Sequence, residues 1–363
     1  MTVPPAVADE SGRAGDAGSL SQQSADTEFP PVTIYMTVLD EERHLAEVVE
    51  HAQTQDYPGE LQIVVAVGPC SDGTRGIAER LAEEDPRIVV VDNPSGYIAA
   101  GLNRALAAAQ HEIVVRVDGH AMLPPGYVSE AVATLRATGA DNVGGIMAAE
   151  GETDFERAVA CAMRSPIGVG RAAFHTGGEP GEALTVYLGA FRREAQQRAG
   201  GYDESMLRAE DWELNHRIRS NGGLVWFNPR MQVSYRPRPN LRMLARQYFF
   251  YGQWRREITR RHRETVSLRY LAPPVLVSIL SAGTVAGTAG TLGGPRWLRA
   301  GWLAPLGYAG ALLVGSAVTG RDLPWRIAAK LPAVYATMHC AWGVGFLTSP
   351  ADLSTRDHGR AVR

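Results

Sequence analysis

A chain of 363 residues, 45% hydrophobic, is long enough for one large domain or two ordinary ones, and its net charge of −3 gives no whole-chain basic excess for a nucleic-acid partner. Its three cysteines, Cys70, Cys161 and Cys340, form no CxxC pair and no zinc-type spacing, which argues against a disulfide framework and suits reduced thiols in a cytosolic setting.

The N-terminal stretch has no basic start and no apolar run, so it does not read as a signal peptide. It is rich in Ala, Ser, Gly and acids, and residues 1–29 are expected to be a disordered tail. From Pro30 strands and helices alternate. PVTIYMTVL predicts a strand; Glu41–Thr54 predicts an amphipathic helix with Leu45, Val48 and Val49 on one face. LQIVVAVG is a second strand, Asp72–Glu84 a helix, RIVVVDN a short strand, Tyr97–Gln110 a helix, and HEIVVRVD a further strand. TVYLGAF is one more, later in the chain. Continuous β-branched runs between helices predict a mostly parallel, doubly wound α/β sheet. Ligands of such sheets sit at the carboxyl ends of the strands.

Three of those ends carry carboxylates: Asp40-Glu41-Glu42, Ser71-Asp72 and Asp118-Gly119-His120. Each alone reads as a loop or a helix cap, Asp72 especially. Together they suggest a site for a nucleotide diphosphate and a divalent cation, because hard cations take oxygen ligands. Asp118 supplies oxygen. His120 adds an imidazole, which Mn²⁺ accepts more readily than Mg²⁺ does.

Further on, RAEDWELNHRIR places Glu210, Asp211 and Trp212 at the start of an amphipathic helix. An acid there is either an N-terminal helix charge or a positioned base. Trp212 either stacks on a sugar or packs in the core. His175 and Arg171, around a Gly-rich loop, are acceptor-contact candidates or plain loop residues.

Residues 236–269 hold ten Arg and only two Glu, interleaved with aromatics. That composition predicts interfacial helices over 241–268, on the cytoplasmic side by the excess of basic flanking residues. Three long uncharged runs follow within 269–350, the third containing only His339 as a possible charge. They predict about three membrane helices, with two spans plus an interfacial helix as the main alternative, making the protein a multi-pass inner-membrane protein, with a polar tail at 351–363.

The ordered set E-E, S-D-G-T, D-x-H and E-D-W, at these spacings, resembles family 2 glycosyltransferases of the GT-A fold over roughly Val32–Arg256. Within that family it is similar to the succinoglycan-synthesis (ExoA-like) group of membrane-anchored bacterial members. The resemblance implies a GT-A domain over 30–240 followed by transmembrane helices. It implies nucleotide-sugar contacts from Glu41, Asp72 and Asp118, and Mn²⁺ or Mg²⁺ on Asp118 and His120. Asp211 would be the catalytic base, assisted by Glu210, with Arg255 or Arg256 near the diphosphate. Two departures stand out. V-G-P-C-S-D-G-T replaces D-D-G-S-x-D-G-T, so Val67 and Gly68 stand where carboxylates often contact the base, and His120 stands where many members have Asp.

The implied activity is inverting transfer of a hexose from a nucleotide sugar, UDP-linked by expectation. The acceptor would be a polyprenyl-diphosphate-linked or other lipid-linked saccharide in exopolysaccharide or cell-wall glycan synthesis. Competing readings are a polyprenyl-phosphate sugar synthase, a catalytically silent membrane scaffold of the same fold, and a soluble nucleotidyltransferase.

Overall fold

The computed structural model describes residues 28–356; residues 1–27 and 357–363, and with them most of both expected tails, lie outside the described residues. An eight-stranded sheet organises the N-terminal two-thirds of the chain. Its strands are β1 (Val32–Val38), β2 (Leu61–Val67), β3 (Ile88–Asp92), β4 (Ile113–Arg116), β5 (Asn142–Ala149), β6 (Gly181–Glu182), β7 (Tyr187–Arg192) and β8 (Val225–Tyr235), in the order β3-β2-β1-β4-β7-β5-β8-β6. The first four are parallel. β7 runs antiparallel to both β4 and β5, and β5 pairs parallel with β8. The expected mostly parallel sheet is present, with two reversed strands, β7 at its centre and the short β6 at its edge.

Both faces of the sheet are covered, and residue parity decides which side chain goes where. Ile34, Met36, Ile63, Val65 and Val115 point to one core with Leu45, Val48 and Val49 of α1 (Leu45–Gln53) and Val128 and Leu135 of α4 (Tyr127–Thr138). α2 (Thr74–Glu84) covers the same face through Ala78. Tyr35, Val64, Ala66 and Val114 point to the other, with Leu102 of α3 (Ile98–Ala108) and, beyond α5 (Asp154–Met163), Leu214 and Ile218 of α6 (Glu210–Ser220). Arg116 has the parity of Val114 and so faces the α3/α6 side.

Beyond the sheet the chain becomes helical. α7 (Leu241–Arg261) is followed by α8 (Leu268–Thr291), a 3-10 segment at Arg296–Trp302, α9 (Leu303–Thr319) and α10 (Leu331–Thr348). Among the described residues two spans, not three, are long and apolar enough to cross a membrane: Leu268–Thr291 and Arg296–Thr319. Their apolar side chains face outward: Leu268 is 87% exposed, Leu303 73% and Val285 70%. The third expected span becomes α10, and its environment differs. Val334, Tyr335 and Met338 are buried against α5 and α7, and His339 bonds the Tyr308 hydroxyl and the Ile167 carbonyl.

α7, in the expected interfacial segment, also packs against the rest of the protein. Leu244, Tyr248, Trp254, Arg255, Glu257 and Ile258 are buried, and Arg260 donates to the Ser349 and Pro350 carbonyls. The packing against α10 is backbone-close. A Cβ on Gly252 would come 2.0 Å from the Trp342 carbonyl oxygen, and one on Gly345 would come 2.0 Å from that of Phe249. Only glycine allows these crossings.

Candidate active site

The carboxyl ends of β1, β2 and β4 bring the acidic loops together, as the sheet topology requires. After β4 the chain turns through Asp118, Gly119 and His120. Gly119 is needed there, because a Cβ would lie 2.8 Å from Val38 Cγ1 and 3.2 Å from Glu41 Cγ. The turn carries His120 to the β1 loop, where His120 Nδ1 and Glu41 Oε1 are 2.9 Å apart. The bond to Glu41 raises the His120 pKa above its ordinary value against the opposing effect of burial.

Asp118 faces inward. Its Oδ1 accepts from Arg116 Nε at 3.3 Å and Nη2 at 3.1 Å. The same Nη2 donates to Glu210 Oε1 at 2.9 Å. Arg116 is 7% exposed and Glu210 6%. Burial works against the Arg116 charge, but the Asp118 and Glu210 carboxylates outweigh it and hold the guanidinium pKa well above its usual range. Asp211 stands beside Glu210 in the first turn of α6, entered through Ala209 at φ +59°. Its Oδ1 accepts from the Trp212 amide at 2.6 Å. Burial pushes both the Glu210 and Asp211 carboxyls above their ordinary values, with Arg116 pulling in the other direction. Asp118 and Asp211 line one small cavity, together with Arg116, Tyr187, Leu188, Gly189 and Asn215. Leu188 holds φ +42° there, its carbonyl anchored by the Tyr127 hydroxyl at 2.5 Å.

The other sequence-predicted residues are distributed more widely. Asp72 stabilises its own loop: it accepts from the Thr74 amide and hydroxyl and from the Glu42 amide, and the Thr74 hydroxyl bond in particular lowers its pKa. Val67, Gly68 and Pro69 of the altered stretch line a separate open hollow with Arg75, Asp92 and Asn93, in which Arg75 pairs with Asp92 at 2.9 Å. Trp212 does not line the Asp118–Asp211 cavity. It stacks on His216 at 5.5 Å, and the Arg255 guanidinium lies 4.1 Å from its ring centre. Arg255 also lies 3.3 Å from the Tyr270 ring centre, and burial takes its pKa down to about 10. Arg256 lies over Phe346. Both arginines belong to the α7 packing rather than to the cavity wall. His175 packs on Phe174, and burial lowers its pKa to about 3, so the ring is neutral. Arg171 is exposed on the neighbouring turn. Neither lines the cavity.

One central residue was missed from the sequence. Arg116 reads as an interruption in the apolar run IVVRVD, and that interruption was the available signal: a charge inside a fully buried strand needs a partner.

A parallel sheet with acidic strand ends, a D-x-H turn and an E-D pair at a helix start defines a glycosyltransferase of the GT-A fold. The sequence model of glycosyl transferase family 2 matches residues 33–198. The chain is 33% identical over 328 residues to the succinoglycan biosynthesis protein ExoA of Rhizobium meliloti (strain 1021), covering 89% of this chain and 96% of that one. It belongs to glycosyl transferase family 2. A more distant relative, 20% identical over 61% of this chain and 71% of its own length, is a Methanococcus voltae enzyme. Its name is dolichyl N-acetyl-alpha-D-glucosaminyl phosphate 3-beta-D-2,3-diacetamido-2,3-dideoxy-beta-D-glucuronosyltransferase. Among solved structures, the mannosyltransferase PcManGT from Pyrobaculum calidifontis, in complex with GDP-Man and Mn²⁺, superposes with a TM-score of 0.54. The two share 20% identity over 91% of this chain and 93% of that one, a likeness of fold.

Proposed function

We propose that this protein is an inverting, divalent-metal-dependent hexosyltransferase of polysaccharide synthesis. It moves a sugar from a nucleotide donor, UDP-linked, to a lipid-linked saccharide at the cytoplasmic face of a membrane. The observation that carries this reading is the meeting of Asp118 and Asp211 in one cavity at the ligand edge of the sheet. The ExoA relative supports exopolysaccharide synthesis as the setting. The name of the Methanococcus enzyme, which specifies a dolichyl-linked sugar phosphate, supports a lipid-linked acceptor. Two outward-facing apolar helices directly after the arginine-rich α7 support a membrane location.

Asp118 and His120 suit a divalent ion. Asp118 commits Oδ1 to Arg116, leaving Oδ2 as the outward oxygen. His120 commits Nδ1 to Glu41, the carboxylate–imidazole pairing that fixes Nε2 as a ligand nitrogen. One oxygen and one imidazole favour Mn²⁺ over Mg²⁺. When bound, the ion offsets negative charge on the diphosphate leaving group.

The protein's own groups supply the rest. Asp211, with its pKa raised by burial, takes the proton of the acceptor hydroxyl while that oxygen bonds to the anomeric carbon. The bond from that carbon to the diphosphate oxygen breaks in the same displacement, so configuration inverts. Glu210 is not a second base: its carboxylate is engaged with Arg116, and through Arg116 it keeps Asp118 and Asp211 facing one another. Trp212, His175 and Arg171 remain the acceptor-side candidates, lying outside the cavity. Trp212 acts there through the Arg255 stack.

Nucleotide release from detergent-solubilised protein tests the reading. UDP-, GDP- and dTDP-sugars are supplied with Mn²⁺, Mg²⁺ or EDTA and a membrane lipid extract. Metal-dependent release from one donor, abolished in Asp118→Ala and Asp211→Asn, is expected. Release from none, with no nucleotide binding, favours the silent scaffold.

A further inference from the structure

A second cluster of ligand-type side chains lies outside the cavity, where α6 meets the end of α7. His216, His262 and Glu264 place one candidate ligand atom each within 4.8 Å of one another. His216 Nε2 is 2.9 Å from Glu264 Oε1, and His262 Nδ1 is 3.8 Å from the same oxygen. A tetrahedral zinc with bonds of about 2.0–2.2 Å separates its ligand atoms by roughly 3.3–3.5 Å. The observed spacings bracket that value, so small side-chain rotations suffice to admit an ion.

Two features go beyond proximity. His262 turns its other nitrogen, Nε2, to Glu213 Oε1 at 3.3 Å. Glu213 is itself clamped by Arg217 at 2.6 Å. A carboxylate on the far nitrogen of an imidazole orients ligand histidines in metal sites. His216 is 5% exposed, and its Nδ1 has no hydrogen-bond partner. Its ring is wedged between Trp212 and His262, at 5.5 and 4.5 Å, so the Nε2 edge is held toward Glu264.

We propose that His216, His262 and Glu264 form a zinc-type metal site, separate from the donor metal of Asp118, that clasps the catalytic helix α6 to the segment leading into the first apolar span. Two imidazoles and one carboxylate are a donor set that Zn²⁺ prefers over Mg²⁺. The exposed side of Glu264 leaves room for a water or a further ligand in the fourth position. The clasp closes over Trp212, one residue from Asp211, so its occupancy fixes the helix that carries the base.

The test uses full-length protein in detergent, stripped with chelator, re-supplied with Zn²⁺ and dialysed against metal-free buffer. Metal content by mass spectrometry and the visible absorption of a Co²⁺-loaded sample are the readouts. About one retained metal per chain is expected, with the intense absorption of tetrahedral Co²⁺. Asp118→Ala should retain it, whereas Glu264→Gln and His262→Gln should weaken it by at least about tenfold. Glu264 is exposed, so its variant folds; thermal unfolding of the metal-free proteins checks this for both. No retained metal in the wild type, retention unchanged in both variants, or loss in Asp118→Ala alone would each overturn the proposal.

Discussion

Arg116 and Glu210 form an ion pair at 2.9 Å with both side chains less than a tenth exposed. One residue is on a central strand and the other opens α6, so the pair joins the two elements that carry Asp118 and Asp211. Removing one partner leaves a buried charge, which costs about 3–5 kcal/mol. Arg116→Met alone should therefore destabilise strongly. Glu210→Gln together with Arg116→Met should cost less than the sum of the single changes. Chemical denaturation of the two single variants and the double variant measures the coupling.

Asp211→Asn separates chemistry from stability. The variant should lose roughly 10²–10⁴ in kcat, the usual contribution of a positioned base. Its fold should not suffer, because the amide still accepts from the Trp212 amide and sheds a charge that burial disfavours. The sign follows from the raised pKa. A carboxyl raised in the folded state contributes stability below its unfolded pKa and loses it as pH rises through the folded pKa. The variant's melting temperature should thus match or exceed that of the wild type at neutral pH, and fall relative to it in acid.

The same shift sets the pH–rate profile. Asp211 must be ionised to accept a proton, so the acid limb of kcat should lie above the ordinary aspartate range of about 4. A limb at or below that value would remove Asp211 from the role.

Glu41 is expected to act through His120. Glu41→Gln keeps the size of the side chain but weakens its hold on Nδ1. Half-saturating Mn²⁺ should rise about 10–100-fold, with little change in kcat at saturation. His120→Asp should shift the Mn²⁺/Mg²⁺ activity ratio toward Mg²⁺, since it exchanges nitrogen for oxygen. An unchanged ratio would place the ion elsewhere.

Gly252→Ala tests the α7–α10 crossing. The added methyl meets the Trp342 carbonyl, a backbone group with little room to move. Overpacking of this kind costs about 1–3 kcal/mol. A lowered melting temperature with unaltered donor specificity is expected.

Much of the sheet was legible because its first strands read as unbroken apolar runs, β1, β2 and β4 being buried on both faces and β3 half-buried: all four lie where LQIVVAVG and its counterparts predict them. β5 and β8 were not. Gly144 and Gly145 dilute the apolar signal of one, and Asn228, Pro229 and Arg230 interrupt the other; both runs show the resulting register shift. Of the side chains that gather at the strand ends, Asp118, His120, Glu41 and Asp211 were singled out by motif. Arg116 did not, since its significance lies in Glu210, far away in sequence. In the arginine-rich segment, the contacts were hidden for the opposite reason. Composition shows ten arginines but not that Arg255, Arg260 and Arg261 are taken up by internal partners.

The backbone-close crossing of α7 and α10 has a consequence for how the chain is made. α7 leaves the ribosome well before α10, with both apolar spans between them. Until α10 arrives, the α7 surface around Gly252 lacks the Trp342 and Phe346 backbone that packs on it. The backbone-close contact between α7 and α10 therefore forms only once α10 has been synthesised. A fragment cut at the apparent end of the sheet, or just before the first span, would carry that uncovered face or lose α7 altogether. The α7 face is finished only when α10 reaches it.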